Sequence, residues 1–326
     1  MLKSTKKCFS VLVLTGLSLM CSPLWATAER DDPGVVAYWN NVANLIESKK
    51  YKEAEKILEK ALRDDYEDAC YYMGMLHVRK GEKEKALFYF RKGAALEEIN
   101  SMFKLAQLYA LGWGVAKNEA EAFKLFKKTA DRSGYPEAIF QTGRMLLVGE
   151  GTSPDRSKAV YYLKQVSDPR CGTEMLPQAQ HLLGTYFLEE AEKCGETGRK
   201  KELFADAVRI LRLAAANKVS GAWIALGGIY YNGRDGSRPD PEKAALCYLA
   251  AVAIDAPVKA HYNLGVIALQ NKDYDEAFRW MQLAAAQGDP KAKHFVEKDY
   301  PKLKGVRTAP ETKSSRAEKI EVTPAM

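Results

Sequence analysis

LYALGWGVAKNEAEAFKLFKKTA, residues 108–130, places Gly112-Trp113-Gly114 directly ahead of a stretch with the apolar spacing of a helix. Two structures fit that order. A glycine-rich loop opening a helix can cradle a phosphate, because the free N–H groups and the helix dipole favour an anion. The same glycines can instead supply the left-handed conformation that ends one helix and turns the chain into the next. Neighbouring sequence decides between them. Gly149-Glu150-Gly151-Thr152 occupies the equivalent place in the next copy of the pattern, and Gly233 and Gly236 do so two copies later. No predicted strand precedes these glycines, no third glycine completes a dinucleotide fingerprint, and no Gly-Lys-Ser/Thr follows. A feature that returns with the repeat belongs to the architecture, so the spacing predicts a turn between two helices.

The copies align on a short segment. DACYYMG ends at Gly74, NSMFKLA at Ala106, EAIFQTG at Gly143, QAQHLLG at Gly184, GAWIALG at Gly227 and KAHYNLG at Gly265. The closing residues lie 32, 37, 41, 43 and 38 apart. Five residues before each stands Ala69, Ser101, Ala138, Ala179, Ala222 or Ala260. A second column follows in an apolar helical run: Ala86, Ala122, Ala159, Ala207, Ala244 and Ala277. Ala54 extends it backwards into an opening hairpin that begins near Gly34, and Ala292 starts an unfinished copy at the end. Apolar residues recur inside each copy at three- and four-residue steps, the helical period.

A glycine inside a helix costs about 1 kcal/mol against alanine, so its return at one register needs an offsetting gain. The expected gain is close approach of two helix backbones, with the small residue one turn earlier making room on the same face. Helices of about 12 residues are marginal alone in water, and stacking hairpins on one another stabilises them as a solenoid array.

These residues resemble the Sel-one-like repeats, relatives of the tetratricopeptide repeats. The clearest copy runs from Ala222-Trp223-Ile224-Ala225-Leu226-Gly227 through Tyr230 and Gly233 to Glu242-Lys243-Ala244. Ala260 to Gly265, closed by Ala284-Ala285-Ala286-Gln287-Gly288-Asp289, is nearly as good. The resemblance covers roughly residues 34–296. It implies an all-α fold, a right-handed α/α superhelical solenoid of about seven antiparallel helical hairpins over residues 34–300. Two departures stand out. The opening hairpin and the last full copy, with Asn271-Lys272-Asp273-Tyr274, have the short loop of a tetratricopeptide. The fourth copy carries an insertion around Cys194 to Lys201, which leaves its local packing open.

The ends of the chain read differently. Lys3, Lys6 and Lys7, an apolar run from Phe9 to Met20, and Ala26-Thr27-Ala28 have the layout of a secretory signal peptide over residues 1–28. Met20 ahead of Cys21 departs from the small residue of a lipoprotein signal. The expected location is therefore periplasmic or secreted, after cleavage near Ala28. Residues 302–326 are expected to be a disordered basic tail. Removing both ends reduces the formal charge of +7 to about +1, so the repeats do not call for nucleic acid as a partner. No later stretch has the length and apolarity of a membrane span. Cys70, Cys171, Cys194 and Cys247 remain in the mature chain. The helix expected from Pro177 to Lys193 would hold Cys171 and Cys194 about 25 Å apart, which argues against that pair. Buried free thiols are expected.

Catalytic signatures are weak. Ser101-Met102-Phe103-Lys104 has the Ser-x-x-Lys spacing of penicillin-recognising enzymes, but Ser-Asp-Asn and Lys-Thr-Gly are missing and Ser101 stands in the small-residue column. His77, His181, His261 and His294 fall one to a hairpin, and none lies three or four residues from another histidine or a cysteine, so no metal site is expected. Acidic pairs such as Asp64-Asp65 and Glu189-Glu190 read as solvated helix ends. No cofactor is expected, and the chain does not read as an enzyme.

One column suggests a surface. Three residues before each closing position stand Tyr71, Phe103, Phe140, His181, Ile224 and Tyr262. By resemblance to tetratricopeptide arrays, first helices line a concave groove, and aromatic residues there could grip a peptide. The bland alternative is packing against the next repeat. Gln107, Arg144 and Thr185 are the polar neighbours that would carry specificity. The expectation is a non-catalytic protein-binding adaptor or scaffold of the bacterial cell envelope. A peptidoglycan- or polysaccharide-binding protein and a β-lactamase-like hydrolase are the alternatives.

Overall fold

The protein is described by a computed structural model over residues 33–167, 176–234 and 238–303. The expected signal peptide, Cys171, Gly236 and the expected tail beyond residue 303 lie outside the described residues. Every regular element among the described residues is helical. In chain order these are α1 Pro33–Glu47, α2 Tyr51–Arg63, α3 Asp68–Lys80, α4 Lys83–Ala95, α5 Ile99–Leu111, α6 Glu119–Ser133, α7 Pro136–Val148 and α8 Arg156–Ser167. They continue as α9 Pro177–Lys193, α10 Thr197–Ala216, α11 Ser220–Asn232, α12 Pro241–Asp255, α13 Val258–Gln270, α14 Tyr274–Ala286 and α15 Pro290–His294, the last running into a π-helical turn at Phe295–Asp299. The helices pair in sequence, first with second, and α15 is the unpaired start of a further copy.

Local chemistry sets the boundaries. Proline opens α7, α12 and α15, where its missing N–H costs nothing. Asn118, Asp155, Asp240 and Asp273 accept from the backbone N–H three residues on, at 2.9–3.1 Å, capping the second helices α6, α8, α12 and α14. Gly81, Gly134, Gly149 and Gly233 end helices in the left-handed conformation.

The chain divides between Ser101 and Met102 into two compact units. In the first, Trp39, Val42 and Ile46 of α1 pack with Ala54 and Leu58 of α2 and with Ala69, Met73 and Leu76 of α3. Trp39 stacks on Tyr72 at 4.9 Å with the rings 4° from parallel. Ser101 of the small column has no exposed surface, and a Cβ on Gly93 of α4 would stand 2.2 Å from its Oγ. That contact accounts for the small residue at 101 by packing.

In the second unit, a core around Phe126, Ile139, Leu163, Leu183 and Phe187 is followed by one around Leu211, Leu226, Ile229 and Tyr248. A third lies around Tyr262, Val266 and Met281. Every alanine of both repeat columns is fully buried. The closing glycines sharpen one expectation. They seat a side chain of the partner helix, and at Gly143 and Gly184 its backbone is close as well, with the Ala159 carbonyl oxygen at 3.3 Å and the Leu211 nitrogen at 3.4 Å from the Cβ position. A Cβ on Gly143 would come within 2.8 Å of Leu163, on Gly184 within 2.7 Å of Leu211, on Gly227 within 2.5 Å of the Tyr248 ring and on Gly265 within 2.9 Å of Met281. Gly74 in the first unit stands in the same way against Phe90, at 2.5 Å. Each intruding residue lies one turn after the second-column alanine. The alanine lets the helices approach, and the glycine opens the hole that the next large side chain fills.

The insertion in the fourth copy is absorbed as helix. The turn is reduced to Cys194–Glu196, while α9 and α10 grow to 17 and 20 residues against 13 in α7 or α11. Cysteines also depart from uniform burial. Cys70 and Cys247 are buried free thiols, and burial pushes the Cys247 thiol up to about 11, whereas Cys194 is free and half-exposed. Nor is Glu190 only a solvated helix end, since Arg156 of α8 donates to it at 3.2 Å.

Three of the histidines have their pKa lowered by burial. Burial lowers the pKa of His77, against the opposing effect of Glu82, whose carboxylate lies 2.9 Å away. It lowers that of His181, with a backbone hydrogen bond to Gly221 working against the shift, and that of His261, which stacks on Trp280 at 5.8 Å. Such groups contribute stability above their unfolded pKa near 6.5, and it is lost as pH falls toward the depressed folded values. Buried Glu98, whose raised pKa comes from desolvation, has the opposite sign. Urea unfolding is therefore expected at a lower midpoint at pH 5.5 than at pH 7.5, each histidine contributing at most about 1.4 kcal/mol per pH unit. An equal or higher midpoint at pH 5.5 would show that these rings do not act as buried neutral groups.

Candidate functional site

The turn that opened the sequence question is closed by its own capping residue. The Asn118 N–H donates to the Tyr109 carbonyl at 2.9 Å, Asp155 to Leu146 at 2.9 Å and Asp240 to Tyr230 at 2.8 Å. The same side chains cap the helix that follows. Two amides at the start of each of α6, α8 and α12, the cap residue's own and the one three residues on, thus already serve internal acceptors. Among the described residues no cluster of potential metal ligands occurs, and no helix is long and apolar enough to cross a membrane. Ser101, the candidate nucleophile, is enclosed by its packing.

The aromatic column is brought to one register but turns largely toward neighbouring hairpins. In the first unit Tyr71 packs edge-on against Tyr72 and tilts over Phe90, and burial raises its phenol pKa. In the second unit Phe103 is buried, edge-to-face with Phe126 at 5.5 Å and Tyr135 at 4.9 Å. Tyr262 is buried too, with the Lys291 amine 6.0 Å from its ring. Phe140 and Ile224 are half-buried against the cores. The His181 ring occupies the space in front of Gly221, where a Cβ would meet it at 2.8 Å. Phe103, His181 and Tyr262 pack toward the following hairpin and Tyr71 within its own, and only the half-buried Tyr71, Phe140, His181 and Ile224 keep some surface open.

The more open first-helix stripe lies one residue further round. In α5 it comprises Lys104, Gln107 and Leu111, in α7 Gln141, Arg144 and Val148, and in α9 Leu182, Thr185 and Glu189. Lys104 Nζ donates to Gln107 Oε1 at 3.2 Å, and Arg144 Nε to Gln141 Oε1 at 3.0 Å. Arg144 also pairs with Glu150 of the turn at 2.5 Å. Thr185 returns its hydroxyl to the His181 carbonyl at 3.0 Å. Burial lowers the pKa of Lys104. Leu111 and Val148, at equivalent positions, are 77% and 62% exposed, so each polar pair ends on a bare aliphatic residue. Sequence reading picked out Gln107, Arg144 and Thr185 but missed Lys104, Gln141, Leu111 and Val148. The signal was present: they stand three residues before, and four after, the polar residues already marked.

Four segments of the chain, 99–133, 136–167, 224–253 and 258–289, match the Sel1 repeat, and residues 67–100 match the tetratricopeptide repeat. The tetratricopeptide match falls on α3 and α4, where Gly81-Glu82 alone joins the helices. The Sel1 matches include the copies with long glycine turns. Among curated proteins the chain is 24% identical to chitin synthase regulatory factor 3 of Schizosaccharomyces pombe over 229 residues, 67% of this chain and 23% of that protein. It is 34% identical to the exopolysaccharide production negative regulator of Rhizobium meliloti over 68 residues, 21% of this chain and 25% of that protein. The chain thus spans about a quarter of the length of these curated relatives. Among solved structures it resembles a protective antigen of uropathogenic Escherichia coli that displays an SLR fold, with a TM-score of 0.64, 22% identity, and coverage of 75% of this chain and 51% of that one. Periodicity, fold and comparison converge: the chain is a helical-repeat protein that carries Sel1 repeats together with a tetratricopeptide repeat.

Proposed function

We propose that this protein is a non-catalytic scaffold that binds a protein or peptide along the first-helix face of its second unit, in the bacterial cell envelope after removal of residues 1–28. The observation that carries the reading is the stripe described above, in which a polar pair and an exposed aliphatic residue return at the same register in α5 and α7. Such a surface offers hydrogen-bonding groups spaced by the repeat and apolar contact at its edge, which suits an extended chain or a helix. Phe103, Phe140, His181, Ile224 and Tyr262 set the hairpin spacing behind it, and Gln107 and Arg144 supply specificity. Sel1 and tetratricopeptide repeats favour protein partners, and the curated relatives are named as regulators. Control exerted by binding is consistent with both.

A photo-crosslinking amino acid placed in turn at Gln107, Gln141 and Val148 in living cells is expected to capture one common protein. The same residue at Arg209 or Arg279, exposed on second helices, is expected to miss it. Equal capture from both sets, or adducts only within the chain, would remove this face as the binding surface.

A further inference from the structure

With α8, the lengthened hairpin α9–α10 borders a cavity of about 500 Å³, lined by residues of all three helices and by Cys194 of the turn. Four cations stand on it, Arg156 and Lys164 from α8, Lys193 at the end of α9 and Arg199 near the start of α10. The one carboxylate in the lining is Glu190, shared by Arg156 at 3.2 Å and Lys193 at 3.8 Å. Glu189 and Glu202 reach Lys193 and Arg199 from outside the lining, at 4.0 and 3.1 Å. Lys164 stands 5.8 Å from the centre of the Phe187 ring, which forms an apolar floor.

We propose that this cavity is a docking site for a short acidic peptide segment of a partner protein, with carboxylates on the cations and an aliphatic or aromatic side chain on Phe187. Charge complementarity selects the class: the four cations are met by three carboxylates, Glu190 in the lining and Glu189 and Glu202 outside it, which leaves one positive charge in excess, with Lys164 over an apolar floor. Openness selects a chain over a small molecule. The Arg156, Lys193 and Arg199 side chains are 57%, 58% and 60% exposed, whereas small-molecule sites enclose most of their ligand. The class of occupant rests on the protein-scaffold reading. The site does not, because its lining residues are not those of the first-helix stripe, which meets it only where Glu189 reaches Lys193 at 4.0 Å.

Cys194 is a built-in reporter, a free half-exposed thiol in the cavity lining. The full-length protein would be alkylated with a neutral maleimide, and labelling of Cys194 read by peptide mass spectrometry so that other thiols are scored separately. A peptide of sequence type Glu-Asp-Phe-Glu-Glu, at millimolar concentration and low salt, is expected to slow that labelling at least five-fold. Its lysine counterpart is expected to have no effect. Lys164→Glu and Arg199→Glu should each abolish protection while the helical circular dichroism is retained, and the milder Lys164→Gln should weaken it. Arg209→Glu, an exposed charge reversal on α10 outside the lining, should leave it intact. Absence of protection, or equal loss with Arg209→Glu, overturns the site. Equal protection by free glutamate or inorganic phosphate at the same concentration overturns the peptide occupant. Protection of Cys194 combined with failed first-helix crosslinks would sink the scaffold face alone, and the reverse would sink this site alone.

Discussion

Replacing Leu211 with alanine is expected to cost about 3–5 kcal/mol, the cost of a fully buried large-to-small change that leaves a cavity. Leu211 has no exposed surface, and its side chain fills the hole in front of Gly184. Gly184→Ala acts on the other side of that contact. Alanine gains about 1 kcal/mol of helix propensity, but its methyl would stand 2.7 Å from Leu211 Cγ. Overpacking of this kind costs about 1–3 kcal/mol, so the single change is expected to be neutral to moderately destabilising. Combining the two should be less harmful than their sum, because the new methyl occupies part of the space that Leu211 vacates. A coupling of about 0.5–3 kcal/mol in the favourable direction is expected from a double-mutant cycle in urea. Additive effects would mean that the glycine serves the backbone and not the side chain. Copy two supplies a natural comparison, with Ala106 at the glycine register and Phe126 one turn after Ala122.

Gly151→Ala is expected to cost about 2–5 kcal/mol, and for a different reason. Gly151 has φ +69°, where a side chain adds about 1–2 kcal/mol of backbone strain. A Cβ there would also stand 2.1 Å from the carbonyl oxygen of Glu119 and 2.8 Å from the Ala120 N–H nitrogen. Those atoms belong to the first turn of α6 in the preceding hairpin, and backbone cannot rotate away as a side-chain tip can. The turn must move and loosen the seam between copies, a strain worth about 1–3 kcal/mol more. Gly134→Ala is the matched control. Gly134 has φ +64° with nothing within 4 Å of its missing Cβ, so only the backbone term applies. Thermal unfolding should place the 151 variant well below the 134 variant. Equal melting temperatures would show that Gly151 is needed for its dihedral angle alone.

These two glycines show what a single chain can reveal. The turn was legible because it recurs at the repeat period and because glycine is favoured where φ is positive, a local property. That Gly151 also touches α6 was not legible. The contact joins residues 32 apart in the chain, Glu119 and Gly151, and no periodicity names which atom will face which. The candidate site divides in the same way. Gln107 and Arg144 were found from their place beside the small column. The aromatic column beside them was visible as a pattern, but a residue two places on from a packing alanine can face either the seam or the solvent. A rotation of the helix by a fraction of a turn decides it. The structure turns Phe103 and Tyr262 inward and leaves the next stripe open.

By itself the sequence determined the helices, their pairing, the register of the copies and the two columns of small residues. Each is encoded by local propensity or by a repeat that can be counted along the chain. The tertiary structure alone decided that the closing glycines receive side chains such as Leu211 and Tyr248, that the fourth-copy insertion lengthens two helices instead of looping out, and that Cys194 and four cations share one cavity. These outcomes depend on the distance and rotation at which two helices pack. Side-chain volumes from separate copies set both together, and no single stretch of sequence holds them.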